Sequence, residues 1–187
     1  MSTVITSYSE TNSSGGARIG YSPFATNIGE TFIPNKGTYT LTSCSFYIIK
    51  NGSPTGNAVA NIYETTGTYH TTGCKPTGSA LATSDNFDVS TMSAISYNLY
   101  EFTFSGVNQI KLNQNKVYAV AIYYDTAVSP NALLVGTKSV PTNDPANRIY
   151  SSDSGSTWSA YTNTATCYYV YGDLIPTGGF FNFMNKI

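Results

Sequence analysis

From residue 30 onward, short apolar runs alternate with clusters of Gly, Pro, Asn and Asp, and no segment sustains a helical period. This punctuation predicts strands at 30–33, 38–50, 58–64, 79–83, 98–104, 116–124, 132–136, 147–151, 157–161 and 166–173. Several of them identify their own faces. In 98–104, Tyr100, Phe102 and Phe104 fall on one side and Leu99, Glu101 and Thr103 on the other, the period of two of a half-buried strand. In 117–124, Ala119 and Ala121 oppose Tyr118, Val120 and Ile122, so both faces are apolar. That pattern predicts a central strand, with alanines small enough to let a second layer approach. After Phe46, Ile48 and Lys50, the pair Asn51-Gly52 supplies residues suited to the positive φ of a tight turn. So many short strands predict an all-β fold, an antiparallel two-sheet β-sandwich of jelly-roll kind.

The two ends depart from this pattern. Residues 1–28 are rich in Ser, Thr, Asn and Gly around Ser13-Ser14-Gly15-Gly16. They are expected to form a flexible N-terminal arm carrying one short strand at Thr3–Tyr8. The sandwich is expected over 29–174. Pro176-Thr177-Gly178-Gly179 then breaks the chain, and 175–187 is expected to act as an apolar contact peptide. Phe180, Phe181, Phe183 and Met184 are costly to leave in water. The peptide is therefore expected either to fold back over its own sandwich or to dock on another subunit.

Composition narrows the function. Charged residues are 10% of the chain, against about 25% in an average soluble domain, and sixteen tyrosines stand among abundant Thr, Ser and Asn. Nine basic and ten acidic residues, spread singly, argue against nucleic acid, where each neutralised phosphate needs a nearby Lys or Arg. They argue equally against an anionic membrane surface. No stretch approaches the roughly 20 apolar residues of a membrane span. A net charge of −1 gives little colloidal repulsion, so ordered self-association is a natural expectation. Residues 1–10 have neither the basic start nor the apolar run of a secretory signal. With an exterior-type composition, that leaves a mature or excised piece, or a protein that leaves the cell inside an assembled particle. A virion surface or the extracellular space is the expected location. The sequons at Asn12 and Asn51 are too short to carry weight.

Chemistry-bearing residues are few. Cys44 and Cys167 lie in strand-like runs and are expected as buried thiols, whereas Cys74 sits in a Gly/Thr/Pro loop where it could pair with a neighbour. His70 stands alone in the polar loop 68–73, without a G-x-S-x-G elbow. The carboxylates from Glu30 onward are scattered and are expected mostly as solvated strand ends and turns. No Cys or His spacing suits zinc, and Asp125, Asp144 and Asp153 lack the spacing of a calcium loop. No catalytic residue, cofactor or metal is assigned, and an enzyme is not expected.

One motif has defined spacing. The run Ser151-Ser152-Asp153-Ser154-Gly155-Ser156-Thr157-Trp158 resembles a single Asp-box, S-x-D-x-G-x-T-W. Asp153 can accept hydrogen bonds from turn amides and Gly155 permits a left-handed backbone, while Trp158 can lay its indole against the base of the hairpin. In sialidases and other propellers such boxes are structural hairpins away from the catalytic centre. The resemblance therefore implies a structural turn for Ser151, Asp153, Gly155, Thr157 and Trp158, with ligand stacking by Trp158 as the alternative. More widely, the segments 46–64, 76–84, 102–107 and 112–122, followed by this turn, resemble a sandwich module of bacterial surface proteins and tailed-phage structural proteins.

Two functional classes remain. The first is a non-enzymatic virion or surface structural protein, of capsid-decoration or tail-appendage type, that assembles with copies of itself or with capsid or tail proteins. The second is a carbohydrate-binding module using loop and strand-end aromatics, with Tyr69, Tyr123, Tyr124, Trp158 and Tyr161 as candidate glycan contacts.

Overall fold

In a computed structural model, residues 2–21, 23–139 and 147–176 are described. The chain forms β1 (Thr3–Tyr8), β2 (Gly15–Ile19), β3 (Asn27–Phe32), β4 (Tyr39–Asn51) and β5 (Asn57–Thr66). It continues through β6 (Lys75–Thr83), β7 (Phe87–Asp88), β8 (Asn98–Thr103), β9 (Lys111–Leu112) and β10 (Tyr118–Tyr123). The last strands are β11 (Ala132–Ser139), β12 (Arg148–Ser151), β13 (Ser159–Tyr161), β14 (Thr164–Thr166) and β15 (Tyr168–Leu174). Every ladder between these strands is antiparallel, and they form two sheets. One has eight strands along the path β1-β15-β4-β11-β14, with β2, β8 and β9 attached to it; the other has seven along β13-β12-β3-β10-β5-β6, with β7 on β5. The protein is an all-β two-sheet sandwich.

Alternation explains the packing. Phe46, Ile48, Phe102, Val135, Tyr168 and Val170 from one sheet meet Ile28, Phe32, Ile62, Tyr118, Val120 and Ile122 from the other in a single buried core. β10 lies between β3 and β5, the central place its double-sided pattern requires. Its inward residues join the main core, while Ala119 and Ala121 form a second, smaller cluster on the outer face with Tyr63, Ile149, Trp158 and Ala160. The approaching layer is thus a loop aromatic, seated where two methyl side chains leave room.

Three expectations are corrected. The stretch expected as an arm is built into the sandwich: β1 pairs with β15, β2 pairs with β11, and residue 29 falls inside β3 rather than at a boundary. A backbone ladder with β11 fixes β2 even though its glycines offer little to bury. Glu30 is not a solvated strand end. It is fully buried, on the same face of β3 as Ile28 and Phe32. Cys74, expected in a loop where it could pair with a neighbour, is fully buried, and all three thiols are free. Burial raises each thiol above its ordinary range, Cys167 to about 11, so none is a ready thiolate. Of the expected contact peptide, Ile175 donates its amide to Thr38 O at 2.9 Å, and Phe180, Phe181, Phe183 and Met184 lie outside the described residues.

Candidate functional site

The 151–158 turn closes on its own side chains. Ser151 Oγ donates to Asp153 Oδ1 at 2.7 Å and accepts from the Gly155 amide at 2.9 Å. Asp153 Oδ1 accepts the Thr157 amide at 2.8 Å, and Oδ2 accepts the Thr157 hydroxyl at 2.6 Å. Gly155 has φ +88°, a conformation open to glycine and strained for a side chain. Two further bonds tie the turn to the body: Ser154 N to Thr26 Oγ1 at 2.9 Å and Thr26 N to Ser151 O at 2.8 Å. Trp158, 9% exposed, sets its ring edge-on to Tyr63 with centroids 5.2 Å apart.

These donors hold the Asp153 carboxyl at about 2, below its ordinary 3.8, with the Ser151 hydroxyl contributing most. Because the folded value is depressed, ionised Asp153 favours the fold. That stabilisation is present above pH ~4 and is lost as the pH falls towards 2. Circular-dichroism melts should therefore show a drop in Tm between pH 4 and pH 2 that is flatter in Asp153→Asn, and a lower Tm for that variant at pH 7. Equal slopes in the two proteins would show that the carboxylate is not coupled to folding.

Between this turn and the start of β6 lies an open cleft of about 370 Å³, lined by Thr66, Lys75, Thr77, Ser156, Thr157 and Trp158 among others. It offers one cation, one aromatic edge and four hydroxyls. A smaller hollow of about 240 Å³ lies near Tyr118 and is crossed by the Lys116–Glu64 ion pair at 2.5 Å.

Of the five aromatics expected as glycan contacts, Trp158 alone lines the cleft. Tyr124 is fully buried and donates to Thr55 O at 2.8 Å, so it is a core residue and not a contact. Tyr123 is half-buried and donates to the Asp125 carboxylate, which also accepts from Ser154 at 3.4 Å. Tyr161, 39% exposed, lies flat on Tyr150 with centroids 5.5 Å apart, and the Arg148 guanidinium lies over its ring at 5.2 Å. Tyr69 is half-buried in the loop before β6, beside an exposed His70 with φ +61°. The five do not converge on one site. Among the described residues, no three His, Cys, Asp or Glu side chains come together to hold a metal.

Sequence reasoning missed Lys75, which no pattern distinguishes from any other strand-end lysine. It also missed the outer face of the eight-stranded sheet, where Tyr47 stacks with Tyr97 at 5.1 Å and Tyr169 with Tyr171 at 6.1 Å. The signal for the second pair was present in the alternation of Tyr169 and Tyr171 with core-facing Tyr168 and Val170. No protein family matches the chain, and no curated protein or solved structure matches it either.

Proposed function

We propose that this chain is a non-catalytic structural protein of a virion or cell surface, joined to other subunits by one end of its sandwich. The observation that carries this reading is a set of apolar side chains held out on three loops at that end. Ile95 is 96% exposed, Val128 74% and Phe24 38%. The loops share a location because each is tied to the strand ends there or to its neighbour. Lys50 N, near the end of β4, bonds to Ser93 O at 2.9 Å, and Asn51 Nδ2 bonds to Pro130 O at 2.9 Å. Ala127 N bonds to Gly20 O at 3.1 Å, linking the third loop. Scattered exposed hydrophobics need no explanation, but three grouped at one end of a nearly uncharged sandwich suit a covered surface. Covering Ile95 and Val128 contributes about 1.5–3 kcal/mol each. The near-neutral charge and the sandwich-module signatures in the sequence support the same reading.

The partner is another subunit of the particle, and a second copy of this chain is the one to test first. Light scattering after size exclusion should give a mass above the monomer at tens of micromolar, and Ile95→Ser/Val128→Ser should return the protein to a monomer. Monomers at every concentration for both proteins would remove the reading.

The cleft favours a second reading, carbohydrate binding, because an indole and four hydroxyls around one open cleft supply hydrogen-bonding groups for a sugar. The two readings are compatible, since a subunit of an outer surface can also touch glycans.

A further inference from the structure

We infer that the cleft between β6 and the 151–158 turn is a subsite for an anionic sugar, one bearing a carboxylate or a sulfate ester; this rests on the carbohydrate-binding reading. Three observations point to it. Lys75 lines the cleft half-buried, and no carboxylate pairs with it among the described residues. Two basic side chains elsewhere are engaged: Lys116 is held by Glu64, and Arg148 lies over Tyr161. The cation in the cleft is thus available for an anion brought by a ligand.

Second, the indole presents the correct edge. A Cβ built on Gly155, which lines the cleft, would lie 3.5 Å from Trp158 Cζ2 and 4.0 Å from Cε2, the edge that carries the indole N–H. That N–H has no hydrogen-bond acceptor among the described residues. It can donate to a ring hydroxyl of a sugar. Gly155 keeps the approach open, since its φ of +88° disfavours any side chain there.

Third, charge orients the ligand within the cleft. The Asp153 carboxylate, itself outside the lining, accepts two bonds from Thr157, which lines the cleft, so negative charge stands behind the turn side and disfavours an anion there. The β6 side, with Lys75 and the Thr77 hydroxyl, attracts one. An anionic sugar therefore places its charged group against β6 and its neutral hydroxyls against Ser156, Thr157 and the indole. A neutral sugar leaves Lys75 unanswered, and a bare phosphate or sulfate leaves the indole unanswered.

The molecule supplies its own reporter, because Trp158 is the sole tryptophan and gives one indole N–H resonance. The full chain is titrated with a uronic-acid oligosaccharide, a sulfated oligosaccharide, a neutral oligosaccharide of the same length, and inorganic sulfate. At least one acidic oligosaccharide should shift the indole peak saturably, the two acidic arms telling carboxylate from sulfate ester. The neutral chain and free sulfate should bind at least about tenfold more weakly. Lys75→Met, with its Tm checked against wild type, should lose at least about tenfold in affinity for the acidic chain and become insensitive to salt. Equal binding of neutral and acidic chains, unaffected by Lys75→Met, would overturn the anionic assignment and leave the carbohydrate reading standing. No sugar shifting the peak would overturn both. A response to free sulfate alone would mark an adventitious ion only and would also overturn the assignment.

Discussion

Glu30→Ala should lower the stability of the fold by about 3–5 kcal/mol, the cost of breaking a buried polar pairing from one side. Glu30 is fully buried between the sheets. Its Oε2 accepts the amide of Thr166 at 2.6 Å, and the Thr166 hydroxyl returns a bond to Gly29 O at 2.9 Å. Glu30 belongs to the seven-stranded sheet and Thr166 to β14 of the eight-stranded one, so these bonds clamp the two layers together. Directly opposite Glu30 in the β3–β12 ladder is Arg148. Burial pushes the Arg148 guanidinium down from its ordinary value, and the Glu30 carboxylate acts against that shift. Alanine would leave the half-buried Arg148 cation without its counter-charge and a buried amide without its acceptor. Urea unfolding followed by circular dichroism measures the loss. The double variant Glu30→Ala/Arg148→Ala should lose less than the sum of the two single changes, by more than 0.5 kcal/mol in order of magnitude. Additive losses would show that the two groups do not share one interaction.

Trp158→Ala should cost about 3–5 kcal/mol, the value for emptying a buried tryptophan site. The indole covers Ala119, Ala121, Ile149 and Ala160 and meets Tyr63 edge-on. Methyl groups and strand backbone cannot collapse far enough to refill that volume. Trp158→Phe keeps most of the contact and should cost less than about 1.5 kcal/mol. A loss under about 1 kcal/mol for the alanine variant would mean that the ring is not part of the outer-face cluster.

The contrast between these two residues shows how far the sequence could be read. Trp158 was legible because the S-x-D-x-G-x-T-W spacing specifies a turn, and the pair Ala119 and Ala121 announced a surface waiting to be covered. The alternation in 98–104 and in 117–124 likewise placed β8 and β10 with their correct faces. Glu30 was illegible as a clamp, since alternation places it with Ile28 and Phe32 but says nothing of a partner 136 residues away on the other sheet. Strands β7, β9 and β14 have two or three residues each, too short for any period, and exist because a neighbouring ladder receives them. β2 failed for a related reason: Gly15 and Gly16 have no side chains to alternate. The cleft is tertiary in the same sense. Lys75 and Trp158 are remote in sequence and meet because β6 and the turn both border the seven-stranded sheet.

The most direct test of the assembly reading is amide hydrogen exchange read peptide by peptide at low and high protein concentration. Protection should rise with concentration in 20–25, 92–97 and 126–131, the three loops that hold Phe24, Ile95 and Val128, while the cleft residues 75–78 and 155–158 stay unchanged. Exchange that is independent of concentration everywhere, or protection that appears elsewhere and leaves these loops untouched, would contradict it.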